Sequence, residues 1–305
     1  MTHPEPLERH LRVMGSAAHL VVHGGSDELL DHAEQRLRQL EEWWSRFLPD
    51  SDITRANQAD GEPVWVHEDT LAVVARALDA WRQTAGRFDI TVLPALVDAG
   101  YTHSVITQAA APEVRGHRVG QSALVGVDYD AGTLTVPATT AIDLGGIGKG
   151  MAADIVAEEL MELGAHGVIV NVGGDLAVLG RPLGDTSWYL GIEDPLRAPE
   201  HLAFIHLEQG GVATSGTTVR RWSTPDGEIA HHLIDPQSSA PSPTTILTVT
   251  VIAGDAATAE AFATAAMMVD GPAAIALLHE VGLAGLAIDA DGTVHRTLTM
   301  KDFEG

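Results

Sequence analysis

The sequence predicts an α+β protein with mainly antiparallel sheets and packed helices. Three observations carry that prediction. Helical periodicity is confined to a few segments, helices and strands alternate irregularly, and after residue 164 the chain becomes rich in adjacent strands separated by glycine turns. A regular βαβ repeat would show none of these features.

Residues 11–23 read as a first strand, with Val13, Leu20, Val21 and Val22 apolar, ended by Gly24-Gly25. Ser26 is placed to cap a helix whose Leu29, Leu30, Ala33, Leu37, Leu40, Trp44 and Phe47 share one face, and Asp27 and Glu28 suit its dipole. A polar segment, 49–57, follows. A second helix spans 69–84, with Leu71, Val74, Ala75, Leu78 and Trp81 turned inward, and Gly86 breaks it. Residues 102–118 read as a loop, and 119–136 give two short strands around Asp130-Ala131-Gly132. A helix over 147–164 carries Met151, Ile155, Val156, Leu160 and Leu163 at helical spacing until Gly164. Strands are expected at 168–172, 176–179, 188–192, 203–207, 229–234 and 246–252. Helices at 256–269 and 272–281 and a hairpin around Asp291-Gly292 close the chain.

Composition bounds the function. A net charge of −24 argues against nucleic acid or an anionic membrane surface as partner. The absence of cysteine excludes disulfides, a thiolate nucleophile and thiolate metal sites. The first ten residues have no apolar core of a signal peptide, there is no lipobox cysteine, and no apolar run reaches the ~18 residues of a membrane span, so a cytoplasmic protein is expected.

Lysine occurs only at 149 and 301, and Lys149 lies in the turn Ile142-Asp143-Leu144-Gly145-Gly146-Ile147-Gly148-Lys149-Gly150. A cation in the first turn of a helix opposes the helix dipole. A glycine-rich helix N-terminus with an added cation is instead an anion site, with a phosphate as the natural guest. The competing reading is a tight strand-to-helix turn with an exposed lysine. Neither the Walker A loop nor the dinucleotide fingerprint fits this spacing.

Glu260 and Thr264, four apart on a predicted helix, present oxygens on one face and could share a hard cation; a solvated Glu on an alanine-rich helix is the alternative. His231-His232 reads as a strand entering the turn Ile234-Asp235-Pro236. By periodicity Phe47 and Phe88 read as core, and Asp175, after Gly173-Gly174, reads as a turn residue outside the site.

Taken together, ordered segments over roughly residues 12–265 resemble the ApbE family of FAD:protein FMN transferases. They are Met14-Gly15; Trp44 to Ile53 with Asn57; Gly86 to Val92; Ile142 to Asp154; Val170 to Asp175; Ala213-Thr214-Ser215-Gly216; His231 to Pro236; and Ala259 to Ala265. The resemblance implies a T-fold-related architecture in a single domain over 1–305, or two α+β lobes with FAD between them. It implies Mg²⁺-dependent transfer of FMN from FAD to a threonine of an acceptor flavoprotein, with AMP released. Met14, Phe47, Arg87, Phe88, Asp89, Asp143, Lys149 and Ile234 would surround FAD, and His232 would lie by the scissile pyrophosphate. Glu260 and Thr264 side chains, with backbone oxygens at Gly146 and Ala263, would hold the metal. Two positions depart from the family: Glu260 stands for Asp, and Phe47 for the frequent Tyr. FAD hydrolysis to FMN and AMP, or FAD binding without turnover, are the alternative functions.

Overall fold

Residues 11–23 do not form one strand. In the computed structural model, which describes residues 5–103, 110–218, 220–223 and 229–304, Leu7–Val13 and Ser16–His23 pair as an antiparallel hairpin with Val13 opposite Ser16. The two-residue turn, Met14-Gly15, has φ of 50° and 70°, the left-handed pair that a type I′ turn requires. Glycine adopts this freely, whereas a side chain there costs about 1–2 kcal/mol. Methionine is no turn former, so the sequence hides the turn.

The helices in chain order are α1 (Asp27–Trp44), α2 (Asp52–Gln58), α3 (Glu68–Gln83), α4 (Leu93–Asp98), α5 (Gly148–Glu162), α6 (Ala256–Ala266) and α7 (Gly271–Glu280). The chain divides into two compact units. The first is built from the segment ending at Arg38, Lys149–Gly216 and the segment from Thr245 onward; the second from Gln39–Gly148 and Thr217–Thr244.

The first unit is built on one eight-stranded sheet in which every pair is antiparallel. Its spatial order follows the chain: Leu7–Val13, Ser16–His23, Gly167–Val172, Asp175–Gly180, Gly210–Gly216, Ile246–Ala253, Ala284–Asp289, Val294–Arg296. α6 packs on the strands Gly210–Gly216 and Ile246–Ala253, and α7 on Ala284–Asp289. A separate hairpin, Trp188–Glu193 with His201–Leu207, supplies Trp188, Ile192, Ile205 and Leu207 to a core with Val178, Val212, Ile252 and Leu286. The α+β, antiparallel expectation holds. The strand Gly210–Gly216 carried no strand signal because its residues are small. They must be: a Cβ on Gly211 would overlap the backbone of Ala256 at the start of α6.

The second unit holds α2, α3 and α4 with three small sheets. These are Val64–Trp65, Thr133–Thr135 and Gly126–Asp128; Arg221–Ser223 with Ile229–His231; and Ile234–Asp235 with Ala240–Pro241. The polar segment 49–57 contains a helix after all. Ser51 caps α2 by accepting from Thr54 N at 3.1 Å, the usual device for an orphan amide in a first turn. Asp52 is buried and accepts from His67 N at 2.9 Å and Thr70 Oγ1 at 2.6 Å. Buried polar residues accompany an apolar face of only Ile53 and Ala56, too short for periodicity to detect. α1 ends at Trp44, short of Phe47, and Leu163 lies beyond α5 and is exposed. Part of the expected 102–118 loop, residues 104–109, lies outside the described residues. Among the described residues no helix is long and apolar enough to cross a membrane.

Candidate active site

α5 begins at Gly148. Gly150 admits nothing larger than hydrogen, since a Cβ there would stand 2.6 Å from the carbonyl carbon of Ala256. This contact brings the first turns of α5 and α6 together, and each helix caps the other. Asp154, one turn into α5, accepts from Ala256 N at 2.8 Å and Ala257 N at 2.9 Å at the start of α6. Glu260, one turn into α6, accepts from Gly150 N at 2.8 Å through Oε2. A carboxylate at a helix N-terminus satisfies orphan amides and complements the dipole.

The other oxygen of Glu260, Oε1, lies 2.5 Å from Lys149 Nζ, and the same ammonium pairs with Asp175. Asp175 follows the turn Gly173-Gly174, with φ of 68° and 96°, which joins Val172 to Asp175. A Cβ on Gly173 would collide with Ser16 and touch the Lys149 side chain at ordinary contact distance. All three charged side chains are nearly withdrawn from water, at 14%, 3% and 3% exposure. Two carboxyl groups here share one ammonium in a buried place. Burial raises the Glu260 pKa, to about 8; Lys149 opposes the rise and the Asp175 carboxylate adds to it. Ala263 is fully buried, and Thr264 Oγ1 lies 3.4 Å from Ser215 Oγ on the strand Gly210–Gly216.

In the second unit Asp143 precedes the same glycine turn. Its amide donates to Ile90 O at 2.8 Å, its Oδ1 accepts from Gly145 N at 2.7 Å, and its Oδ2 lies 2.8 Å from Arg46 Nε. Asn57 holds the residue before Asp143, Ile142, by a two-way bond at 2.8 and 2.9 Å. Arg46 is buried, donates to Tyr101 O at 2.9 Å, and lies over the rings of Phe47 and Tyr101 at 4.2 and 4.9 Å. Tyr101 stacks on Trp222, whose Nε1 donates to Ala99 O. Phe47 is therefore half-buried beside a guanidinium and a tyrosine.

Asp89 caps the short turn Ile90–Val92. Its Oδ1 accepts from Thr91 N, Thr91 Oγ1 and Ser122 Oγ at 2.7, 2.5 and 2.9 Å, while its Oδ2 is buried without a hydrogen-bond partner. Burial raises its pKa against those three bonds. Phe88 is buried, and Arg87 is half-buried and donates to Thr84 O. Ile234 lies in an apolar cluster with Leu93, Ala95, Leu96 and Ala141. Gly146 is half-buried in the turn before α5.

His231 is buried; its Nε2 faces Ser242 O at 3.1 Å and its Nδ1 faces Leu233 N at 3.3 Å. That pattern fits one neutral tautomer, protonated on Nε2, and burial lowers its pKa accordingly. His231 is thus committed to the backbone, and the half-buried His232 is the other member of the pair.

The structure brings Lys149, Glu260 and Asp175 into one cluster, and Phe47 and Asp143 into another through Arg46. Met14 stands at its hairpin turn, in the first unit. Sequence reading set Asp175 aside as a turn residue and did not single out Arg46 or Asp154. A carboxylate opening an otherwise apolar strand is the signal that would have found Asp175, since a buried carboxylate demands a cation or several donors.

The fold is shared with flavin transferases of known structure. The ApbE protein of Thermotoga maritima superposes with a TM-score of 0.87 at 26% identity, covering 99% of this chain and 100% of that one. The apo form of the Pseudomonas stutzeri flavinyl transferase ApbE gives 0.82 at 25% identity, covering 99% and 98%. Among sequence relatives, an FAD:protein FMN transferase of Klebsiella pneumoniae is 30% identical over 85% of this chain and 76% of its own. One of Vibrio cholerae is 28% identical over 80% and 74%. The chain belongs to the ApbE family, whose sequence model matches residues 14–287.

Proposed function

We propose that this chain is an FAD:protein FMN transferase that moves FMN from FAD to a threonine of an acceptor flavoprotein. The threonine hydroxyl attacks the FMN phosphorus, the bond to the AMP phosphate breaks, and AMP leaves. His232 takes the hydroxyl proton. Family membership supports the reaction class. The observation that carries the site is the pair of buried carboxyl groups, Asp175 and Glu260, gathered at Lys149, because carboxylate and hydroxyl oxygens suit a hard cation. Mg²⁺ would be held by Glu260 and Thr264 with backbone oxygens at Gly146 and Ala263, and would neutralise the FAD pyrophosphate. Lys149 then turns from the carboxylates toward a phosphate. In the second unit, Phe47, Arg87, Phe88, Asp89, Asp143 and Ile234 contribute to FAD, as Met14 and Lys149 do from the first.

A second reading, FAD binding without turnover, is favoured by one observation: both oxygens of Glu260 are already engaged, by Lys149 and by Gly150 N. Glu260→Gln separates the two. The amide keeps an oxygen for Gly150 N and leaves Lys149 paired with Asp175, so the fold and much FAD affinity should survive. If Glu260 is a metal ligand, Mg²⁺-dependent turnover falls by at least about 100-fold. Covalent FMN on a candidate acceptor, by mass spectrometry, with AMP by chromatography, is the readout. Wild-type turnover at limiting Mg²⁺ would remove Glu260 from the metal site. Free FMN in place of the protein adduct would point to hydrolysis.

A further inference from the structure

A second group of metal-binding side chains lies on the first hairpin. Glu8 and His10 on Leu7–Val13, and His19 on Ser16–His23, place one ligand atom each within 4.8 Å of the others. The register explains why they meet. His10 is directly opposite His19, and Glu8 is two residues away on the same face. Counting from the Val13–Ser16 pair that closes the turn, His10–His19 is a pair without mutual backbone hydrogen bonds, the kind in which side chains approach most closely. The two rings lie 4.1 Å apart and nearly parallel, and His19 Nε2 is 2.9 Å from Glu8 Oε2. On the opposite face of the strand, Ala18, Leu20 and Val22 are in the core, so Glu8 and His10 are exposed and His19 half-exposed.

We propose that Glu8, His10 and His19 form a binding site for a borderline divalent transition ion of the Zn²⁺ class. Two imidazoles and one carboxylate are a donor set for such ions rather than for Mg²⁺. Zinc–nitrogen distances of about 2.0–2.1 Å put tetrahedral ligand atoms about 3.4 Å apart, so the three groups close by roughly an ångström and one imidazole turns out of the stack to aim at the shared ion. The metal replaces the proton between His19 Nε2 and Glu8, and His19 takes the tautomer protonated on Nδ1. The fourth position is left to water. Leu7–Val13 is the edge strand of the sheet, and the ion ties it to its neighbour below the Met14-Gly15 turn.

The test is Zn²⁺ binding by equilibrium dialysis on the full chain, in excess Mg²⁺ to cover the Lys149 cluster. One tight equivalent is expected. Affinity for it should fall about tenfold or more in His10→Ala and in His19→Ala, and stay unchanged in His206→Ala, an exposed histidine elsewhere. Zinc-induced shifts of two histidine ring signals in the NMR spectrum of the wild type provide a check that needs no variant. Equal binding in the His10→Ala/His19→Ala double variant, or no bound Zn²⁺ at hundreds of micromolar, overturns the proposal.

Discussion

In the first unit one ammonium, Lys149, faces two carboxylates; in the second one guanidinium, Arg46, faces one carboxylate and two aromatic rings. Both cations are largely buried, and in sequence Asp143 and Lys149 stand near the two ends of one glycine-rich segment. The second cluster is balanced. Its guanidinium is held by one ion-pair contact with Asp143, a carbonyl and ring faces, as suits arginine. The first is not: two carboxyl groups share one ammonium, carried by a lysine on a flexible stem. A balanced pair builds structure, whereas an unbalanced and mobile one can exchange a proton or admit a cation.

The largest effect expected from this contrast is in Lys149→Met. It strands Asp175 and Glu260 together, and removing one partner of a buried ion pair costs about 3–5 kcal/mol. Urea unfolding at pH 8 should register that loss. Lowering the pH should restore much of it, because one proton shared by the two carboxyls replaces the ammonium. Equal stability of variant and wild type at pH 8 would mean that Lys149 contributes little to the cluster.

Arg46→Leu should cost less, about 2–3 kcal/mol, since Asp143 keeps the Gly145 amide and some exposure to water. Acid should restore less of the loss here, with only one carboxylate left behind. A recovery as large as that of Lys149→Met would erase the distinction between the clusters.

The reciprocal capping of α5 and α6 adds a pH test. Burial raises the Asp154 pKa from 3.8 to about 7, against the two amide bonds from α6. A carboxyl whose pKa is raised on folding contributes stability below 3.8, and that contribution is lost as pH rises through about 7. The slope is at most about 1.4 kcal/mol per pH unit. Asp154→Asn should therefore flatten the stability profile between pH 5 and 7. A parallel profile in wild type and variant would show an ordinary ionised cap.

How much of this was legible follows from range. Apolar runs such as those within Gly167–Val172 and Ile246–Ala253 announced their strands, because burial on a sheet leaves a local pattern. α2 and Gly210–Gly216 left none: one is held by polar groups, the other by close backbone approach. Lys149 and Glu260 were each conspicuous, as a rare lysine in a glycine turn and a carboxylate one turn from Thr264. Their pairing was not, since 111 residues separate them, and Asp175 lies 26 residues from Lys149. Lys149 was read as awaiting a phosphate; in this structure its ammonium is held by the protein's own carboxylates. Arg46 was hidden for the opposite reason, as one of 16 arginines.

The smallest effect concerns the hairpin turn. Met14 holds φ of 50° in the first unit, at a cost of about 1–2 kcal/mol. Glycine would relieve that strain but adds about 0.5–1 kcal/mol of unfolded-state freedom. Met14→Gly should therefore change stability by less than about 1 kcal/mol, in the stabilising direction. Strain kept where glycine would serve as well suggests a use for the side chain, and FAD contact is the use proposed for it. FAD affinity should then fall by roughly threefold to tenfold while the melting temperature holds or rises. A variant more stable than wild type with undiminished FAD affinity would leave Met14 as a turn residue only. The flavin assignments in the second unit would then have to stand without it.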